Sequence, residues 1–419
     1  MMNETSFEDQ ICVVIGASHA GVHLAFALRN EGWLGRIILY DNDPELPYHR
    51  PPLSKAYLTS DGGIEKFHLK PAESYEKERI ELRLGKTVAS INRSEKCIRL
   101  NDDTIQSYDK LVLATGARPL IPPIKGIENA KNIFPLRTAH DVNNIRSFLQ
   151  NCEKKQVVVI GGGYIGLEIA ASLKKLDAQV TILEREERIL ARVTAPEMSA
   201  FFQNLHTQHG VNVFTNKNVA SIEVVNGLNK VHCTDGSVFE AEMIIVGVGI
   251  RVNTELAQAI GLTIENGIKV DAAARTSDEN IFAIGDCTAH FNPHYGRFVR
   301  LESVQNAVDQ AKIAAAAICE KSPIYNTIPW FWSDQYDIKL QMVGLSTGYD
   351  HIILRKEEGE GEKFSIWYFQ GDELLAVDGV NNAKAYVLGT KFIKDRAKIN
   401  KENLVNATMP LKAGDLLAE

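Results

Sequence analysis

Val157-Val-Val-Ile-Gly-Gly-Gly-Tyr-Ile-Gly166 decides the fold of this chain. Three valines and an isoleucine stop at a glycine, as a short buried strand does. Leu167-Glu-Ile-Ala-Ala-Ser-Leu-Lys-Lys-Leu176 then has the apolar spacing of a helix, and Gln179–Leu183 is a second strand ending at Glu184. Strand, glycine turn, helix, strand and acidic residue make a βαβ unit. Gly161, Gly163 and Gly166 fill the pattern G-x-G-x-x-G. The first permits a tight turn, the second lets a pyrophosphate approach the backbone, and the third lets helix and strand pack closely. The helix N-terminus offers its unpaired N–H groups to the phosphates. Glu184, 23 residues after Gly161, can accept both hydroxyls of an adenosine ribose and repels a 2′-phosphate, which favours NADH over NADPH.

The same unit occurs earlier, with its first glycine 145 residues before Gly161. Ile11–Ile15 leads into Gly16-Ala-Ser-His-Ala-Gly21, a helical run follows, and the strand Arg36–Tyr40 ends at Asp41. Ser18 stands where the middle glycine would be, and Asp41 is the ribose carboxylate. One such motif is a weak signal; two in one chain, each in strand–helix context, predict two dinucleotides. Further strands stop at glycine: Lys110–Ala114 before Thr115-Gly116, Met243–Val246 before Gly247-Val-Gly249, and Ile281–Ile284 before Gly285-Asp286. Such ends bring backbone to a ligand at the carboxyl edge of a parallel sheet. Ala307–Cys319 reads as a helix. Beyond Pro323, a Trp-rich segment, four strand-like runs (Ile338–Val343, His351–Arg355, Phe364–Phe369, Leu374–Val377) and a helix at Ala383–Lys394 predict a small α+β domain. Lys356–Lys363 reads as a solvated hairpin loop.

Composition narrows the function. The 419 residues, 45% hydrophobic and 24% charged, need no disulfide or structural metal to support a core. The six cysteines include no C-x-x-C pair, which fits a reducing compartment and argues against a disulfide reductase. A net charge of −7 argues against nucleic acid as the main partner. No apolar run has membrane-helix length, and the polar Met1–Gln10 resembles no targeting peptide, so a cytoplasmic location is expected. His290 and His294 are four apart, but the HFNPH context is not helical, and no metal site is expected.

Two dinucleotides without a separate substrate domain suggest a flavin reduced by a nicotinamide. Over essentially its whole length the chain resembles the FAD-dependent ferredoxin reductases of bacterial oxygenase systems, within the pyridine nucleotide-disulfide oxidoreductase superfamily. The resemblance rests on Arg50-Pro-Pro-Leu-Ser-Lys-Ala-Tyr-Leu58, Ala114-Thr-Gly-Ala-Arg-Pro119, Gly161-Gly-Gly-Tyr-Ile-Gly-Leu-Glu168, Phe282-Ala-Ile-Gly-Asp-Cys287, Glu302-Ser-Val-Gln-Asn-Ala307 and Pro329-Trp-Phe-Trp-Ser-Asp-Gln-Tyr336. It implies an α/β protein with two Rossmann-like domains, glutathione reductase-like, plus a small α+β C-terminal domain. Residues 1–117 and 249–326 would form the FAD-binding domain, 118–248 the NADH-binding domain and 327–419 the C-terminal domain. It implies FAD contacts from Gly16, Ser18, Gly21, Asp41, Arg50, Lys55, Thr115, Gly116, Arg118, Gly285, Asp286, Val304 and Trp332. Gly161, Gly163, Gly166, Glu168, Glu184, Gly247 and Gly249 would serve NADH. Lys55 would lie near the flavin N5 and pair with Glu168, and Trp332 would stand on the electron-exit side. After Gly249-Ile-Arg the family pattern Pro-Asn is replaced by Val252-Asn253.

The implied activity is NADH-dependent reduction of an acidic [2Fe–2S] ferredoxin, through transient contact, by a monomer or weak homodimer. Arg297, Arg300, Lys312 and Lys339 are the candidate basic residues for docking. Three alternatives share the layout. A rubredoxin reductase differs in its partner alone. An NADH oxidase often carries a redox cysteine near the flavin, but here none occurs between Asp41 and Cys97. A non-enzymatic NADH-responsive binding protein, like apoptosis-inducing factor, needs segments for which this chain has no obvious room.

Overall fold

The computed structural model describes residues 7–359 and 361–418; Met1–Ser6, Glu360 and Glu419 lie outside the described residues, and with them part of the Met1–Gln10 segment and one position of the Lys356–Lys363 run. The chain forms two compact units. The first takes in the stretches Met1–His49, Ile64–Arg118 and Arg251–Pro329; the second takes in Arg50–Gly63, Pro119–Ile250 and Trp330–Glu419.

In the first unit a five-stranded sheet runs in the order Ile281–Ala283, Lys110–Leu113, Ile11–Ile15, Arg36–Tyr40, Ile80–Arg83, all parallel. Its central strand is buried on both faces, as parallel strands must be. Cys12 and Val14 enter one apolar cluster, Val13 and Ile15 the other. The first cluster is sealed by helix His19–Glu31 and the Ala-rich helix Val304–Ile318, whose Ala307, Ala311, Ala314 and Ala315 let the two helices pack closely.

In the second unit the corresponding sheet runs Asn212–Phe214, Gln179–Leu183, Gln156–Ile160, Met243–Val246, Ile133–Phe134, again all parallel. The C-terminal part is a five-stranded antiparallel sheet in the order Trp330–Gln335, Ile338–Gly344, Glu373–Val380, Phe364–Gln370, His351–Lys356. Helix Ala383–Asp395 packs on its middle strands.

Most strands match their sequence signals to within a residue or two. The strand expected to end at Val377 continues to Val380. Asp378-Gly379 looks like a turn in sequence, yet Asp378 is buried and accepts a hydrogen bond of 2.6 Å from Tyr368 Oη. The sheet therefore continues through a polar residue whose partner lies in the neighbouring strand.

Candidate active site

The two glycine turns are built alike. Gly16 N donates to Tyr40 O at 2.8 Å, and Gly161 N to Leu183 O at 2.9 Å, which ties each turn to the second strand of its unit. Both glycines have positive φ, 110° and 111°. A Cβ on Gly16 would stand 2.2 Å from Ala114 O, and one on Gly161 2.4 Å from Gly247 O. No other residue type fits these positions. The acidic residues then close over the turns. Asp41 Oδ2 accepts from Ala17 N at 2.6 Å, and Glu184 Oε2 accepts from Gly162 N at 2.6 Å. Their second oxygens accept from Asp43 N (2.9 Å) and Glu186 N (2.8 Å).

These turns fit dinucleotides. Helices Ala139–Gln150, Val304–Ile318 and Ala383–Asp395 are capped by Thr138, Ser303 and Asn382 side chains. Helices His19–Glu31 and Tyr164–Lys175, which follow the glycine turns, have no side-chain cap at Ser18 or Gly163. Their first-turn N–H groups are the donors an anion requires. A Cβ on Gly163 would meet nothing within 4 Å, whereas one on Gly21 or Gly166 would fall 1.9 or 2.1 Å from a backbone oxygen. The middle position faces open space, and the third is closed by packing, as a pyrophosphate cradle demands.

Of the remaining residues expected to contact FAD, Thr115, Gly116, Arg118, Gly285, Asp286 and Val304 lie in the first unit, and Arg50, Lys55 and Trp332 in the second. Gly285, with φ of 82°, opens the short turn Gly285–Cys287 that carries Asp286, and its N–H donates to Gln310 Oε1 at 2.7 Å. Val304 begins its helix. Thr115 and Gly116 are clamped by Asn253. Thr115 Oγ1 donates to Asn253 O (2.7 Å), Asn253 Nδ2 to Thr115 O (2.8 Å), and Asn253 N to Gly116 O (3.0 Å). The asparagine after Val252 thus holds the turn without the proline usual before it. Arg118 is engaged by Glu255, Nη2 to Oε1 at 2.6 Å, and by Asn253.

The second unit brings Lys55 and Glu168 together, 113 positions apart in sequence. Lys55 Nζ lies 2.6 Å from Glu168 Oε2, with the glutamate side chain 1% exposed and the lysine 20%. Ser54 Oγ donates to the same oxygen at 2.6 Å, and Ser333 Oγ donates to Oε1 at 2.6 Å. A buried carboxylate is tolerated only when paired and hydrogen-bonded, and Glu168 is both. Behind Ser333, Gln335 Nε2 donates to its hydroxyl at 3.1 Å, and His206 Nε2 lies 2.9 Å from Gln335 Oε1. Burial pushes the His206 ring down to about 4, so it is neutral near pH 7 and serves as a donor through Nε2–H. Ser172 Oγ holds the Ser54 carbonyl at 2.7 Å. Ser172 and His206 lie outside every quoted motif, and Ser54, Ser333 and Gln335 lie inside motifs that gave them no role of their own. The hint in sequence was adjacency, Ser54 beside Lys55 and Ser333 beside Trp332.

Strand Trp330–Gln335 alternates its side chains, so Trp330 and Trp332 share one face, ring centres 5.5 Å apart, while Ser333 points to Glu168. Arg50 Nη1 donates to Arg137 O at 2.6 Å. Gly249 has φ of 116°, and Gly247 lies against Gly166. Among the basic residues proposed for docking, Arg297, Lys312 and Lys339 are exposed, and Arg300 is ion-paired with Glu302. Cys287 is buried and its thiol is pushed up by burial, the opposite of an activated nucleophile. His290 lies in strand Thr288–Asn292 against Tyr325, and His294 Nε2 faces Asn326 O at 2.9 Å. Among the described residues no helix is long and apolar enough to cross a membrane.

Known proteins share this fold. Residues 11–311 match the pyridine nucleotide-disulphide oxidoreductase family, and residues 330–414 match the reductase C-terminal family. Putidaredoxin reductase of Pseudomonas putida is 43% identical over 96% of this chain and 95% of its own length. Rhodocoxin reductase of Rhodococcus erythropolis is 42% identical over 96% and 93%. The crystal structure of a covalent putidaredoxin reductase–putidaredoxin complex superposes with a TM-score of 0.91 at 42% identity, covering 96% of this chain and 97% of the other. With 301 of 419 residues inside the first match (11 to 311) and two relatives above 40% identity, this chain belongs to the pyridine nucleotide-disulphide oxidoreductase family.

Proposed function

We propose that this protein oxidises NADH and passes the electrons through FAD, one at a time, to a small acidic [2Fe–2S] ferredoxin that supplies a cytochrome P450 or a ring-hydroxylating dioxygenase. The observation that carries the reading is the pair of matching glycine cradles in one chain, accompanied by the buried Lys55–Glu168 pair. The names of the relatives, reductases of putidaredoxin and of rhodocoxin, support the partner class.

Bound FAD supplies the one chemistry the chain lacks, acceptance of two electrons as hydride and their release singly. The chain's residues do the rest. In the first unit the Gly16–Gly21 turn and the uncapped helix start at His19 hold the FAD pyrophosphate, and Asp41 holds its ribose. The Thr115-Gly116, Arg118, Gly285-Asp286 and Val304 segments complete that site. In the second unit the Gly161–Gly166 turn and Glu184 hold NADH, and Gly247 and Gly249 leave room for the nicotinamide. Arg185 is paired with Glu186, and Arg188 is tied to Ser199 and Ala191 O, which leaves Glu184 to select against a 2′-phosphate. Lys55 would present a cation suited to an electron-rich reduced flavin, and Glu168 holds that cation in position. Arg50 would line the flavin, and Trp332 would stand on the side where electrons leave.

Docking of an acidic partner uses Arg297, Arg300, Lys312 and Lys339, in the short-lived manner of redox pairs. The protein works in the cytoplasm as a monomer or weak homodimer, without nucleic acid or membrane. Glu184→Arg tests the cradle assignment. NADH affinity falls at least tenfold while FAD stays bound, measured by steady-state kinetics and flavin absorbance. Loss of FAD from this variant contradicts the assignment.

A further inference from the structure

The residues around Lys55 are held by an arginine that no cofactor motif contains. Lys55 separates two very short elements, the turn Pro51–Ser54 and the four-residue helix Ala56–Thr59, and it is the N-cap residue of the latter. A helix of one turn has no stability of its own and leaves its last carbonyls without intrahelical partners. Ser60 N and Oγ reach Tyr57 O at 3.4 and 3.3 Å, and Arg146, on helix Ala139–Gln150 of the same unit, adds the further donors at this end. Its Nη2 donates to Tyr57 O and, at 3.0 Å, to Ser60 Oγ; its Nη1 donates to Gly62 O at 3.1 Å; and its Nε reaches Leu58 O at 3.4 Å. The guanidinium also lies 4.1 Å from the centre of the Tyr57 ring, and Tyr57 Oη donates to Asn143 Oδ1 at 2.8 Å, one turn away on the same helix. Tyr57 and Leu58 are 1% exposed, so this is a packed contact rather than a surface tether.

We propose that Arg146 is a positioning residue for Lys55: by closing the carbonyl end of helix Ala56–Thr59 and stacking on Tyr57, it fixes the backbone from which the Lys55 ammonium is presented. The inference rests on the reading of Lys55 given above. Only a planar fork with several donors can meet carbonyls at 57, 58 and 62 and the hydroxyl at 60 together. The positive charge also suits a helix C-terminus. Glu168 fixes the Lys55 side chain, and Arg146 fixes its backbone. Both anchors lie in the second unit, so the ion pair and its support belong to one compact body.

The test measures the flavin midpoint potential of FAD-loaded protein by dye equilibration, together with amide hydrogen exchange of residues 56–62. Lys55→Met moves the potential to more negative values, because a cation that stabilises reduced flavin is gone. Arg146→Met accelerates exchange across residues 56–62 and moves the potential in the same direction, by a substantial fraction of the Lys55→Met displacement. Arg146→Lys, which keeps the charge but not the fork, falls between wild type and Arg146→Met, and it serves if Arg146→Met fails to fold. Tyr57→Phe, which removes only the bond to Asn143, gives the smallest change. Fast exchange at 56–62 with an unmoved potential overturns the inference while leaving the reading of Lys55 intact. Unchanged exchange in Arg146→Met also overturns it. If Lys55→Met itself leaves the potential unmoved, the reading of Lys55 falls and the inference with it.

Discussion

Glu168 is the residue on which the site's electrostatics turn. Its carboxylate has a mostly buried lysine on one oxygen and a serine hydroxyl on each. Ser333→Ala removes the hydroxyl donor to Oε1 and leaves a buried charge less satisfied, at a cost of about 1.5–3 kcal/mol. The unfolding midpoint should fall accordingly, and flavin reduction by NADH should slow in stopped-flow traces; Ser333→Thr, which keeps the hydroxyl, should restore most of both. An unchanged midpoint and rate in Ser333→Ala would contradict this account of Glu168. Glu168 and Lys55 could be nominated from sequence because each sits in a motif. The motifs gave Ser54 and Ser333 no role, because they meet Glu168 only by packing of the turn Pro51–Ser54 and of strand Trp330–Gln335 against helix Tyr164–Lys175. Spacing along a chain carries no information about such a contact.

At the scale of the element, the glycine turns separate the structural role of Gly161 from the ligand-facing role of Gly163. Gly161→Ala puts a Cβ 2.4 Å from a backbone oxygen at positive φ, so the second unit should lose several kcal/mol and accumulate poorly as folded protein. Gly163→Ala meets nothing within 4 Å, so the same methyl should leave folding intact and weaken NADH binding about tenfold or more, read by the rise in KM. Equal loss of stability in both variants would count against the cradle geometry. The strands were legible because alternation and glycine stops are local signals. The C-terminal sheet was legible as runs but not in its last strand, where Asp378 hides a buried hydrogen bond. That residue makes a further prediction. Burial pushes its carboxyl up to about 7, against about 3.9 in an unfolded chain. Between pH 4 and 7, on the order of these two values, the folded form binds the extra proton, so Asp378's contribution to stability declines as pH rises through that window. The penalty is fully present above it. Asp378→Asn should therefore be more stable than wild type at about pH 8, by on the order of a few kcal/mol, with the difference shrinking towards about pH 5. Guanidinium unfolding followed by tryptophan fluorescence reads this. A pH-independent difference would show that desolvation of Asp378 is not its cause.

The whole molecule pairs two copies of one supersecondary idea with a third, different domain. Duplication was visible in the sequence as two strand–glycine–helix–strand–acid units 145 residues apart. What the sequence left out is that Arg50–Gly63, flanked on both sides by chain of the first unit, folds with the second. Its anchors, Arg146, Asn143 and Glu168, are scattered over helices that follow much later. The proposed partner is a protein-scale property, and the central claim is tested there. NADH-driven reduction of cytochrome c by the purified yellow protein should be slow alone and strongly stimulated by one member of a panel of [2Fe–2S] ferredoxins. That stimulation should weaken as salt is raised, because an acidic partner is steered by exposed basic residues. Stimulation by a rubredoxin instead, or brisk oxygen consumption with no carrier effective, would contradict the account.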